Sequence, residues 1–187
     1  MDLKSLLVKK KSGIVKKWFH KIADTYDPET SKFLKQKKNR FANPVGSTIS
    51  MEMEALFDEL FDQAEQDKVL ACLDNIIKIR AVQDFTPSEA IQFIFSLKQV
   101  IRQELKKEIQ DEQISEEIIK FESKIDDIAL LAFDIYMSCR EKVYRIKENE
   151  YRQNRFMVLA GDDIDDIKGG SPAEKPALGT NKPKSLT

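Results

Sequence analysis

The sequence predicts an all-α protein, a helical bundle of about six helices closed by a long C-terminal one, and three observations carry that prediction. Glycine and proline are scarce, six of each in 187 residues, and several of them fall near the C-terminus. Charged residues make up 34% of the chain and Lys, Glu, Gln, Leu and Ile abound, which favours helices over sheets. Apolar residues recur at helical spacing through one segment after another.

The first helix is predicted from about Asp2 to Tyr26, with Leu3, Leu7, Ile14, Trp18 and Ile22 on one face and lysines on the other. Asp27-Pro28 has the form of a cap followed by a first-turn proline. It starts a short second helix that holds Phe33 and Leu34 and ends before Asn43-Pro44. Pro44-Val45-Gly46 reads as a bend, and Ser47 or Thr48 as the start of a third helix. That helix turns Ile49, Met53, Leu56, Leu60 and either Phe57 or Phe61 inward and an acidic face outward. A fourth runs from about Asp67 to Gln83, with Val69, Leu73, Ile76 and Arg80 in one stripe.

Thr86-Pro87-Ser88-Glu89 combines an N-cap, a first-turn proline and a capping box, so a fifth helix starts there. Ala90, Ile91, Phe93, Ile94, Phe95 and Leu97 surround it, the pattern of a helix buried on several faces. Ser115 is the expected cap of the last helix, which should reach about Phe156. Along it Ile114, Ile118, Phe121, Ile125, Ile128, Ala132, Ile135 and Cys139 alternate by four and three, a heptad seam that asks for a partner helix. Residues 1–156 thus form one helical domain. Residues 157–187 are expected to be a disordered acidic tail, since its Asp pairs, Gly169-Gly170 and spaced prolines leave little to bury.

Two stretches resemble a known family. Arg40-Phe41-Ala42-Asn43-Pro44-Val45-Gly46, and the run from Asn75 through Arg80 to Arg102, are similar to the N-terminal domain of the RsbR/RsbRD-type co-antagonists, bacterial stress-signalling regulators of the stressosome kind. The resemblance spans roughly Met1 to Ile146. It implies a globin-like fold without haem, a homodimer, and a sensory or assembly role instead of catalysis. Co-antagonists continue into a phosphorylatable STAS domain, whereas only about thirty residues follow the last predicted helix here, so a stand-alone module without that output domain is expected.

The chemistry in the chain agrees with that role. A haem-binding globin needs an axial ligand, and residues 67–83 hold no histidine; the single His20 lies among lysines on the first helix. Cys72 is the one soft ligand in that segment. Cys72 and Cys139 are solitary, without zinc or disulfide spacing, and read as buried thiols in a reducing compartment. One histidine cannot build a bundle di-iron site, and the acidic tail lacks the glycine and glutamate of an EF-hand loop. No Gly-rich phosphate loop, Gly-x-Ser-x-Gly or Cys/His pair appears, so no catalytic residue, cofactor or metal is assigned and no enzyme is expected.

Net charge is −1, yet residues 1–50 hold twelve Lys/Arg against four acids, and the acidic face of the third helix is a natural partner for them, within or between chains. Neither nucleic acid nor membrane insertion is indicated. No apolar run is long enough for a span and no signal-peptide core precedes Lys9-Lys10-Lys11, so a cytoplasmic location is expected.

One polar cluster stands out. Arg80 ends an apolar stripe, and Gln83 and Asp84 follow it: either Arg80 and Asp84 pair locally at the corner before Pro87, or Arg80, Gln83 and Asp84 face a ligand or partner. The seam residues Ile128, Ala132, Ile135 and Cys139 are the expected homodimer interface. The function that follows is a non-enzymatic sensory or regulatory module that dimerises and binds a signalling or assembly protein. The alternative is a haem-free globin-like sensor with a small ligand between its core helices.

Overall fold

The structure, a computed structural model, describes residues 2–36, 41–60, 66–83 and 85–168, the last thirteen of these by their backbone alone. Six α-helices follow one another: α1 (Leu3–Ala23), α2 (Pro28–Lys35), α3 (Pro44–Glu59), α4 (Gln66–Ala81), α5 (Pro87–Glu104) and α6 (Glu112–Lys168), with a single 3-10 turn (Glu108–Gln110) before the last. Among the described residues there is no strand, and no helix is long and apolar enough to cross a membrane.

Three of the helix starts use one device. Asp27, Asn43 and Thr86 are N-caps, and Pro28, Pro44 and Pro87 occupy the first turn, where the missing N–H costs no intrahelical bond. At Thr86 the full capping box forms: the Glu89 N–H donates to Oγ1, and the Thr86 N–H donates to Glu89 Oε2 at 2.9 Å. Asn43-Pro44 is therefore a helix start and not the bend its Pro-Val-Gly suggests. α3 begins three or four residues earlier than Ser47 or Thr48 because Gly46, bonded to Asn43 Oδ1, is already helical.

Asn43 does more than cap α3. Its side-chain amide donates to the carbonyls of Phe33 (3.1 Å), Leu34 (3.1 Å) and Gln36 (3.4 Å), at the C-terminus of α2 where carbonyls run out of helical partners. One buried side chain thus closes two helices and sets the angle between them. Gly46 is required for this contact: a Cβ there would lie 2.6 Å from both Nδ2 and Oδ1 of Asn43.

Residues 1–144 form one compact unit. α1 packs along α5 and α3 along α4, and a single core runs through all of them. At its centre Trp18 is fully buried, stacks on Phe93 with ring centroids 6.1 Å apart, and donates Nε1–H to the Phe93 carbonyl at 2.6 Å. The N-terminus of α1 is tied to α6 by Glu117, whose carboxylate accepts the Leu3 N–H at 2.8 Å. α5 and α6 are joined by the pairs Arg102–Glu122 and Lys98–Asp126, an antiparallel register.

α6 departs from its expected course at both ends. Asp111, not Ser115, receives the first-turn N–H, that of Ile114, at 3.3 Å. Beyond Phe156 the backbone stays helical to Lys168. A helix already under way needs no new nucleus, one Gly such as Gly161 costs only about 1 kcal/mol, and the first proline comes at Pro172. From Arg145 on the helix belongs to a second unit, in which Arg152 and Glu148 pair at 2.9 Å and Tyr151 is exposed. Residues 169–187 of the expected tail lie outside the described residues.

The buried stripe of α6 is Ile114, Ile118, Phe121, Ile125, Ala129, Ala132 and Tyr136. It follows the heptad seam as far as Ile125 and again at Ala132, while Ala129 and Tyr136 take the places of Ile128 and Ile135, because a straight α-helix repeats every 3.6 residues and drifts away from a 3.5 repeat. α5 departs similarly: Phe95 is 43% exposed, so that helix has one open face.

Candidate functional site

Three places could engage something outside the chain. The first is the predicted polar cluster at the end of α4. Arg80 is fully buried. Its Nε donates to the Ala90 carbonyl at 3.0 Å, and Nη2 donates to the Glu89 carbonyl at 2.8 Å and to Thr25 Oγ1 at 3.0 Å. The guanidinium lies 4.0 Å from the centroid of Phe85 and 5.3 Å from that of Tyr26, and the two rings meet edge to face. Gln83 joins this cluster by accepting the Tyr26 hydroxyl at 3.0 Å, and Tyr136 from α6 donates to the Phe85 carbonyl at 2.6 Å.

Burial pushes the Arg80 guanidinium below its usual range, opposed by the nearby Tyr26 and Glu89, and the same burial raises Tyr26. An arginine nevertheless stays charged in proteins. Asp84, the other expected member, lies outside the described residues. The cluster joins the ends of α1 and α4 to the start of α5, and all but one of the Arg80 nitrogens are engaged: Nη1 is buried without a partner. The geometry is that of a clamp on backbone carbonyls, with aromatic faces where a carboxylate would otherwise stand.

The second place is an open groove of about 810 Å³ between α1, α2 and α3. Val15, Phe19 and Leu34 form its apolar floor, Val8 and Met51 its exposed apolar rim, and Ser47 and Ser50 one wall. His20 lies on it, half-buried. Desolvation first, and then Lys35 and Lys16, hold His20 below the ordinary imidazole value. The basic charge of α1 is largely used elsewhere: Lys10 pairs with Glu108 at 2.8 Å, Lys11 with Asp58 at 2.8 Å and Glu54 at 3.1 Å, and Lys17 with Glu104. The acidic face of α3 therefore meets basic α1 within one chain. Lys9 and Lys16, seven residues apart on the groove side, have no such partner among the described residues.

The third place is a stripe on α6. Leu130 is 68% exposed, Met137 47% and Phe133 41%, and Tyr144 continues the same face one heptad beyond Met137. The α5–α6 register brings the open Phe95 alongside. The expected interface residues point elsewhere. Ala132 is fully buried in its own core, and Ile128, Ile135 and Cys139 are half-buried against that core. A small residue in mid-seam admits a close neighbour, and here that neighbour is in the same chain.

Both cysteines are free. Burial, and then the Glu52 carboxylate, push the Cys72 thiol up to about 11, so near neutral pH it is a thiol and a poor metal ligand. No group of three His, Cys, Asp or Glu residues suited to a metal occurs among the described residues.

The described residues thus form an all-α bundle that carries a polar clamp, an apolar-floored groove and an exposed apolar stripe. Residues 12–151 match the RsbT co-antagonist protein rsbRD N-terminal domain, and the chain belongs to that family, one of regulatory sensor domains and not a known enzyme family. An uncharacterized protein of Archaeoglobus fulgidus is 33% identical over 116 residues, covering 57% of this chain and 72% of the relative. No solved structure is significantly similar.

Proposed function

We propose that this domain is a non-enzymatic regulatory module that pairs with a second copy of itself through α6 and α5 and binds a signalling or assembly protein as a cytoplasmic stress regulator. The observation that carries the reading is the exposed stripe of Leu130, Phe133, Met137 and Tyr144 next to Phe95. Apolar side chains gathered on one helix face mark partner surfaces, and burying each contributes about 1.5–3 kcal/mol. Family membership supports a regulatory role.

The test is sedimentation of the whole chain at micromolar concentration. Wild type is expected at the mass of two chains, and Phe133→Asp/Met137→Asp at the mass of one with its helical circular dichroism retained, because both side chains are open in the single chain. Wild type at one chain would sink the pairing. A double variant that remains a dimer would move the contact off this face. Lysines at Ile128 and Ile135 are a poorer probe, since those side chains pack on the core and their loss acts on the fold first.

The domain is also proposed to work without haem. α4 offers no histidine and its Cys72 is held as a thiol. Titration with hemin is expected to give no sharp Soret band at one-to-one stoichiometry, and such a band, lost in Cys72→Ala, would reverse this reading.

A further inference from the structure

We infer that the groove between α1, α2 and α3 is a binding site for one small anionic amphiphile, an unbranched aliphatic chain carrying a single carboxylate or phosphate, taken up as a free molecule from water. It gives the sensory reading above a ligand class and a location outside the helical core, and it rests on that reading only for its biological use.

Size argues for a small molecule. The groove holds about 810 Å³, within the roughly 300–1,000 Å³ of ordinary ligand sites. It follows α1 from Val8 to His20, about 18 Å at 1.5 Å per residue, long enough for one extended aliphatic chain. The floor supplies the apolar contact: Val15 and Leu34 are nearly closed off by their neighbours, while Val8 and Met51 remain 59% and 55% exposed on the rim and would be covered by such a chain.

Charge argues for the anion. Of the five lysines in Lys9 to Lys17, three are engaged by carboxylates of α3, α5 and the 3-10 turn, and the two left over, Lys9 and Lys16, both face the groove. Lys35, also on it, is held by Asp24, and Glu54 is held by Lys11. The uncompensated charge on the groove is therefore positive. The hydroxyls of Ser47 and Ser50, which make no hydrogen bond to a described residue, offer donors to a head group without demanding a cation. A cationic or neutral amphiphile would leave the lysines unanswered. A bilayer surface would not fill a concave groove.

The experiment is calorimetric titration of the whole chain with decanoate and decyl phosphate, kept monomeric, beside decyltrimethylammonium, inorganic phosphate and vesicles of phosphatidylcholine with phosphatidylglycerol. Decanoate or decyl phosphate is expected to bind one per chain, with inorganic phosphate and the ammonium at least about tenfold weaker, equal to about 1.4 kcal/mol. Lys9→Gln/Lys16→Gln should weaken the anions about tenfold or more and leave the melting temperature unchanged, since neither lysine holds an ion pair with a described residue. Ser50→Trp should block the groove. If that variant fails to fold, Met51→Glu, at an exposed rim position, sets a negative charge beside the chain and should weaken the anions by a similar factor. Equal affinity for the ammonium, binding to vesicles alone, indifference to the lysine pair, or no heat with decanoate at millimolar concentration would each overturn the assignment. Wild-type mass in sedimentation is independent of all these outcomes, so failure here and failure of the pairing are told apart.

Discussion

Arg80→Ala is expected to destabilise the domain by about 3–5 kcal/mol, the range for emptying a large buried site. Three hydrogen bonds from one cation disappear, at about 1.5–3 kcal/mol for bonds of that kind, but the two carbonyls keep their helical partners, so the full sum is not lost. The faces of Phe85 and Tyr26 lose the guanidinium they enclose, and a void opens where α1, α4 and α5 meet. In a domain of this size the melting temperature should fall by about 10 °C or more.

Two further variants separate the causes. Arg80→Met restores most of the volume without the donors. Arg80→Lys keeps the charge but cannot reach two carbonyls and Thr25 at once, because the planar fork is gone. If hydrogen bonding dominates, both should fall between wild type and alanine. A loss under about 1 kcal/mol for Arg80→Ala would mean that the clamp is ornamental to stability, and would return Arg80, with Gln83 and Asp84, to the standing of a ligand cluster.

Much of this was open to sequence reasoning because it is local. A cap, a first-turn proline and a capping box need only four neighbouring residues, so Asp27-Pro28 and Thr86-Pro87-Ser88-Glu89 announce α2 and α5 without any tertiary information. Asn43-Pro44 carries the same signal, yet the following Val-Gly imitates a turn. What decides is the glycine's role, which is to make room for Asn43 and not to bend the chain. Arg80 was visible as an anomaly on an apolar stripe. Its partners were not, since carbonyls carry no sequence signature and Thr25 is fifty-five residues away. On α6 the four-three apolar spacing suggests a coiled-coil seam, yet most of it serves a 3.6-period face in an ordinary core. The surface that remains, Leu130, Phe133 and Met137, shows only once that core is assigned. The groove is the least legible feature. Three helices build it, and the lysines that matter there are those left after every carboxylate within reach has chosen its partner.

At the α2–α3 joint one side chain has two functions, and substitutions there should interact. Asn43→Ala removes an N-cap, about 0.5–2 kcal/mol, and strips the amide from three carbonyls at the end of α2, where an acceptor left unsatisfied in a buried place costs about 1–3 kcal/mol. A total of about 2–4 kcal/mol is expected in chemical denaturation. Aspartate is as good a cap as asparagine at an ordinary helix start, but here it would turn a carboxylate oxygen toward the carbonyls of Phe33, Leu34 and Gln36. Asn43→Asp should therefore be no better than alanine, which separates the two functions. Gly46→Ala attacks the same contact from the other side: its methyl would sit 2.6 Å from both polar atoms of Asn43, and relieving such a clash costs about 1–3 kcal/mol. Once the Asn43 side chain is gone, that methyl has nothing to strike. The double variant Asn43→Ala/Gly46→Ala should then be more stable than the two single losses added together would allow, by at least about 1 kcal/mol, the coupling typical of residues in contact. Strict additivity would show that alanine at 46 acts through the helix backbone alone and that the close approach of Gly46 to Asn43 does not hold the joint.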